Sequence, residues 1–139
     1  AYPRFVDIYA DAKVHESWGR VADREGQTLK TSVEATLSAT STFLQIATWN
    51  DWGEGTMIEP SREFGYRDLE ILQETRRRQK GSRFTPTATD LRLPRQLLQM
   101  RRETTAAERT AELDRIADFI ASGKLSQARS GLKALERLP

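Results

Sequence analysis

A chain of 139 residues is long enough for one domain with a sizeable core. Its 22 basic and 20 acidic residues leave a formal net charge of +2, too even to point to nucleic acid, and the absence of cysteine excludes disulfides and thiolate-bound metals. No stretch reaches the roughly 18 apolar residues of a membrane span. Because the chain opens Ala1-Tyr-Pro rather than with methionine, the lack of a leader says nothing of targeting, and the compartment stays open.

Residues 1–27 show little periodicity and read as a strand end followed by a long loop. Aromatic Tyr2, Phe5, Tyr9 and Trp18 mix there with Asp7, Asp11, His15, Glu16 and Asp23. Leu29, Val33 and Leu37 recur every four residues, which predicts a helix over 28–39. The uncharged run Phe43-Leu-Gln-Ile-Ala-Thr-Trp49 predicts a strand buried on both faces. A second helix is expected over 63–79 with Tyr66, Leu69, Ile71 and Leu72 inward, ending in the basic cluster Arg76-Arg-Arg78, Lys80 and Arg83 that suits a solvated helix end. Loop, helix, strand, loop and helix in that order make the rhythm of an α/β fold built from βα repeats. A (β/α)8 barrel needs about 250 residues, so residues 1–80 would supply its C-terminal quarter, with the edges of a lone strand left to be paired.

Residues 81–89 form a Ser/Thr/Pro-rich linker, and 90–139 read as a helical tail. Thr87 and Asp90 are spaced for a capping box before a helix over 90–104 carrying Leu91, Leu97 and Leu98. Leu113, Ile116, Ala117 and Ile120, then Leu125, Ala128, Leu132 and Leu135, give two further stripes. With Gly123 between them they predict a helical hairpin over 106–138. As an isolated chain the protein is therefore expected to be helix-rich.

The chemistry concentrates after the apolar run, in Asn50-Asp-Trp-Gly-Glu-Gly-Thr-Met-Ile-Glu-Pro60. Parallel sheets present their catalysts at the carboxyl ends of strands. Asp51 and Glu54, three apart, could act as a pair on a sugar bond if Trp49, Trp52 and Met57 form an apolar wall that separates their pKa values. The alternative from the residues alone is that Asp51 caps the next turn and Glu54 is solvated. Indole faces stack on sugar C–H faces, which makes Trp49 and Trp52 candidate binding residues beside Asn50 and Glu59. His15 and Trp18 would join them if the early loop covers the site. A single histidine is weak support for a metal, and no cofactor motif is present.

Trp49-Asn-Asp-Trp-Gly-Glu-Gly-Thr-Met-Ile-Glu-Pro60 resembles the signature of glycoside hydrolase family 71/99-like proteins, which include the endo-α-mannosidases. Phe64-Gly-Tyr-Arg-Asp-Leu-Glu-Ile71 and Tyr9-Ala-Asp-Ala-Lys-Val-His-Glu-Ser-Trp18 extend the likeness. The resemblance implies the end of strand 7, helix 7, strand 8 and helix 8 of a (β/α)8 barrel. It also implies cleavage of α-mannoside-like linkages, with Asp51 as base on a sugar hydroxyl and Glu54 as acid/base. Asp51 stands for the usual glutamate and Gly53 for the usual histidine. Related polysaccharide-biosynthesis proteins share a W-N-E-W-G-E-G motif, and Gly53 favours that branch. A third reading is a catalytically silent module that binds or self-associates through exposed strand edges. The expected partner in the enzymatic readings is an oligosaccharide or glycan.

Overall fold

The computed structural model describes residues 1–39, 42–104 and 107–136, which fall into two compact units, 1–81 and 82–139. It is helix-rich, and among the described residues the strands are two residues long.

In the first unit, β1 (Phe5–Val6) pairs antiparallel with β2 (Arg20–Val21), setting Val6 opposite Arg20. The early segment is thus a small ladder rather than a loose loop. Between its strands, Asp7 starts the single turn α1 (Ile8–Asp11) by accepting the Ala10 N–H at 2.9 Å. The helix α2 (Gln27–Ser38) begins at Gly26, whose φ of +85° suits glycine. A Cβ there would also lie 2.6 Å from Ile71 Cδ1, so position 26 is closed to side chains twice over. The second long helix, α3 (Arg67–Lys80), starts four residues later than its periodicity suggests. Residues 61–65 fold back first: Gly65 N–H donates to the Ser61 carbonyl at 2.9 Å and Phe64 N–H to Ser61 Oγ at 2.9 Å. Leu29, Val33 and Ile58 are buried between these elements, with Leu44, Ile46, Leu69, Ile71 and Leu72 packed around them.

Residues 43–49 are not a strand buried on both faces. Leu44 and Ile46 face the core, whereas Phe43 is 77% exposed. On one side the backbone pairs with Ala1, whose ammonium donates to the Gln45 carbonyl at 2.8 Å and whose carbonyl accepts from Ala47 N–H at 3.0 Å. At its end Thr48 and Trp49 bond back to residues 56–59 of the following loop. An apolar run becomes a doubly buried strand only when a ladder flanks it, and among the described residues no strand lies beside this one. The extended segment therefore buries alternate side chains on one side only.

The second unit is a helical bundle. A 3-10 turn at Ala88–Arg92 opens it through the expected capping box, in which Thr87 and Asp90 bond each other's side chains and backbone. The helix expected over 90–104 is thereby split. Its α-helical part, α4 (Leu93–Glu103), carries Pro94 in its first turn and buries Leu93 and Leu97, leaving Leu98 exposed. The tighter 3-10 turn rotates the stripe away from the straight-helix expectation. The helices α5 (Ala107–Ala121) and α6 (Leu125–Leu135) follow, with Gly123 at φ +72° between them. Residue 106 and the end of the expected hairpin at 137–138 lie outside the described residues. Leu93, Leu97, Leu113, Ile116, Ala128, Leu132 and Leu135 make the core.

Two predictions arise here. Gly131 sits where an added Cβ would meet Ile116 Cγ1 at 2.8 Å, and Ile116 is fully buried. Alanine gains about 0.8–1 kcal/mol of helix propensity but overpacks the core by about 1–3 kcal/mol. Gly131→Ala is therefore expected to lower the melting temperature of this unit, by circular dichroism, despite improving the helix.

Asp90 also bridges to Arg129. Burial works to raise its carboxyl, but the Thr87 donors and the Arg129 guanidinium outweigh this and hold it below the ordinary 3.8. A depressed folded-state value means that the stabilisation is complete above that ordinary value and is lost as pH falls through the folded one. Asp90→Asn is expected to cost about 1 kcal/mol at pH 7, because the amide keeps an acceptor for Thr87 but loses the charge that strengthens those bonds and pairs with Arg129. The same urea titration near pH 2 should find the variant and the parent alike, and an undiminished gap at that pH would refute the assignment.

Candidate functional site

The turn that carries the acids is built by its own backbone and two threonines. Thr48 Oγ1 lies 2.9 Å from Thr56 Oγ1 and accepts the Asp51 N–H at 3.0 Å. Thr48 N–H donates to the Thr56 carbonyl at 3.0 Å and Glu59 N–H to the Trp49 carbonyl at 2.9 Å, closing residues 48–59 into a hairpin-like loop. At its tip, Asp51 Oδ1 accepts the Glu54 N–H at 3.0 Å, so Asp51 caps the turn that presents Glu54. Both acids are half-buried. The Glu54 carbonyl accepts from Val6 N–H at 2.8 Å, tying the tip to β1. Gly55, at φ +64°, lies against Val6, where a Cβ would be 3.2 Å from Val6 Cβ.

The expected apolar wall does not form. Met57 is buried, but Trp49 and Trp52 are 54% and 49% exposed. Their indoles stand as open faces rather than as a lining that desolvates a carboxyl. Trp52 is nonetheless held, because its Nε1–H donates to Glu59 Oε1 at 2.6 Å. Asn50 is exposed at the shoulder of the turn.

Beneath the loop runs a network that the sequence did not disclose. Arg4, 2% exposed, donates from Nη1 to the Met57 carbonyl at 2.7 Å, from Nε to Asp23 Oδ1 at 3.1 Å, and from Nη2 to Asp68 Oδ2. Its guanidinium lies 3.7 Å over the Phe64 ring. Arg67 Nη2 reaches the same Asp23 oxygen at 2.5 Å. One buried cation, next to β1, thus joins α3, the turn before α2 and the base of the acid loop. Its members stand far apart in the chain, so no local pattern could have found them.

His15 and Trp18 sit together, with rings stacked at 4.3 Å and 18°. His15 Nδ1 is 2.6 Å from the Glu16 carbonyl, and Nε2 is 3.4 Å from Asp7 Oδ1. Asp7 Oδ2 also accepts the Trp18 N–H at 3.1 Å. Burial works to raise the Asp7 carboxyl, but the Ala10 and Trp18 N–H groups and the His15 charge outweigh it and hold it below 3.8. Trp18 itself is 72% exposed. Tyr9 links this cluster to the acid loop: its ring lies 6.4 Å from His15, and a Cβ on residue 53 would come within 2.6 Å of its Cε2. Tyr9, absent from the sequence-derived set, fills the space in which a side chain at Gly53 would sit.

An apolar-floored cavity of about 370 Å³, lined in part by Leu37, Leu44, Ile46 and Leu72, lies against the 43–49 segment rather than at the acids. No helix of the described residues is long and apolar enough to cross a membrane.

A family model described as Glycosyltransferase WbsX matches residues 18–72, a span that includes Trp18, the acid loop and the first turns of α3. No curated protein and no solved structure matches the chain. The match overturns the resemblance to glycoside hydrolase family 71/99-like proteins, and with it the hydrolase and endo-α-mannosidase assignment. It supports the polysaccharide-biosynthesis alternative. Gly53, already the departure from the mannosidase pattern, agrees with this, since Tyr9 closes the position to the histidine of those enzymes.

Proposed function

We propose that this chain handles a glycan in polysaccharide assembly, as part of a protein that transfers a sugar from an activated donor to an acceptor hydroxyl. The observation that carries the reading is that the matched span contains the whole acid loop, with its two open indoles beside a half-buried carboxylate. In this reading residues 1–80 are the closing βα units of a (β/α)8 barrel, and the extended segment 43–49 is its last strand.

Glu54 is the base. Among the described residues its carboxylate has no hydrogen-bond partner and so is available to substrate. As the acceptor oxygen bonds to the anomeric carbon of a glycosyl phosphate donor, its proton passes to Glu54. The bond from that carbon to the phosphate oxygen breaks, with the electron pair leaving on the phosphate. Asp51 is a positioning residue, because its Oδ1 holds the Glu54 N–H. Trp49, Trp52 and Trp18 supply stacking surface, Asn50 a polar contact, and His15 and Glu59 fix neighbouring rings. Incorporation of radiolabelled hexose from nucleotide sugars into a glycan acceptor tests the reading. Label released as free sugar instead of entering glycan would count against transfer.

A further inference from the structure

Resting on that reading, we infer that Trp52 and Glu59 form a stacking subsite for a neutral pyranose of the acceptor glycan, with Glu59 both fixing the ring and rejecting anionic sugars. An indole is a useful sugar platform only if its plane is held, since an ordered ring loses less entropy on binding. The 2.6 Å bond from Trp52 Nε1–H to Glu59 Oε1 supplies that restraint, and half of the ring remains open to solvent. Glu59 is itself held, its backbone N–H donating to the Trp49 carbonyl at 2.9 Å. The platform is therefore built from both ends of one closed loop.

The charge around the ring decides what it accepts. Asp51, Glu54 and Glu59 all lie on this loop, and the nearby cation Arg4 is already engaged by Asp23 and Asp68. Strand register sets exposed Arg20 beside Val6, and of these groups it is the Glu59 carboxylate that touches the ring. A uronate carboxylate or a sugar diphosphate brought against Trp52 would meet like charge at close range, which opposes binding. A neutral hexose meets hydroxyl acceptors and an apolar face. The donor diphosphate is accordingly bound elsewhere, and this loop takes the acceptor.

The experiment follows the Trp52 indole N–H resonance of the whole chain while three probes are titrated: neutral hexose oligosaccharides, an oligogalacturonate of equal length, and a nucleoside diphosphate hexose. Neutral oligosaccharide should move that resonance, with the oligogalacturonate at least about tenfold weaker. Glu59→Gln keeps an acceptor for the indole and removes a charge. It should retain neutral binding and shrink the discrimination several-fold. Glu59→Ala frees the ring and should weaken neutral binding by about tenfold, and Trp52→Leu should abolish it. Equal response to anionic probes, or unchanged neutral binding in Glu59→Ala, overturns the subsite while leaving glycan handling intact. Failure of every saccharide to perturb any tryptophan overturns the functional reading itself.

Discussion

Replacing Arg4 by methionine is expected to destabilise the first unit by about 3–5 kcal/mol, the cost of leaving a buried charge without its partner. Arg4 and Asp68 are 2% and 4% exposed as side chains, so water screens neither. Asp68 Oδ1 has no hydrogen-bond partner among the described residues and lies 3.6 Å from Arg67 Nη2, so Arg4, bonded to Oδ2, is the nearer of the two cations that compensate this carboxylate. Asp23 would keep Arg67 and lose Arg4. The three tryptophans all lie in the first unit, so their fluorescence in a urea titration reads that unit alone. Helicity of residues 82–139 should melt as before, since Asp23, Met57 and Asp68, the partners of Arg4 named above, all belong to the first unit. The double change Arg4→Met with Asp68→Leu should recover much of the loss, because removing both charges also removes their desolvation. A double variant as unstable as the single one would mean that Arg4 acts through the Met57 carbonyl and Asp23 rather than through Asp68.

Glu54→Gln is expected to lower sugar transfer by 10²–10⁴-fold, the usual contribution of a positioned base. The change is nearly isosteric and leaves the Glu54 N–H on Asp51 and its carbonyl on Val6, so the loop should persist. Glycan binding measured through the tryptophans should be retained. Asp51→Asn gives the contrast: a positioning residue that keeps its hydrogen bond to the turn should lose far less rate. Were Glu54→Gln to keep more than about a tenth of the parent rate, the base would have to be another group.

The helices were the legible part of this fold. Leu113, Ile116, Leu125, Ala128, Leu132 and Leu135 announced their buried stripe through spacing, and Gly123 marked the break, because helical packing is written at intervals of three and four residues. The segment 43–49 was not legible in the same way. Its composition permits a doubly buried strand, but burial of a strand is a property of its neighbours, and here Phe43 and Trp49 face water. At the site, the turn and its capping alternative could be read from Asp51 and Glu54. Two glycines and two tryptophans within Trp49–Gly55 also signalled a shaped surface. Tyr9, Arg4, Asp23 and Asp68 could not be recognised, since each is an ordinary residue until the fold brings it against residue 53, 57 or its oppositely charged partner. The motif alone also fitted two carbohydrate-active branches, and the match over residues 18–72 separated them.

The Arg4 clamp also sets a clock on biosynthesis. Arg4 and Asp68 are 64 positions apart, so at roughly 5–20 residues per second the arginine leaves the ribosome about 3–13 s before its partner carboxylate exists. Through that interval the Arg4 guanidinium has only half-buried Asp23 of its two carboxylates, and the base of the acid loop has no link through it to α3. Completion of the first unit is therefore gated by the emergence of α3. Slow codons placed before that helix would lengthen the life of an open, aromatic-rich nascent chain, and slow codons after it would give the unit time to close.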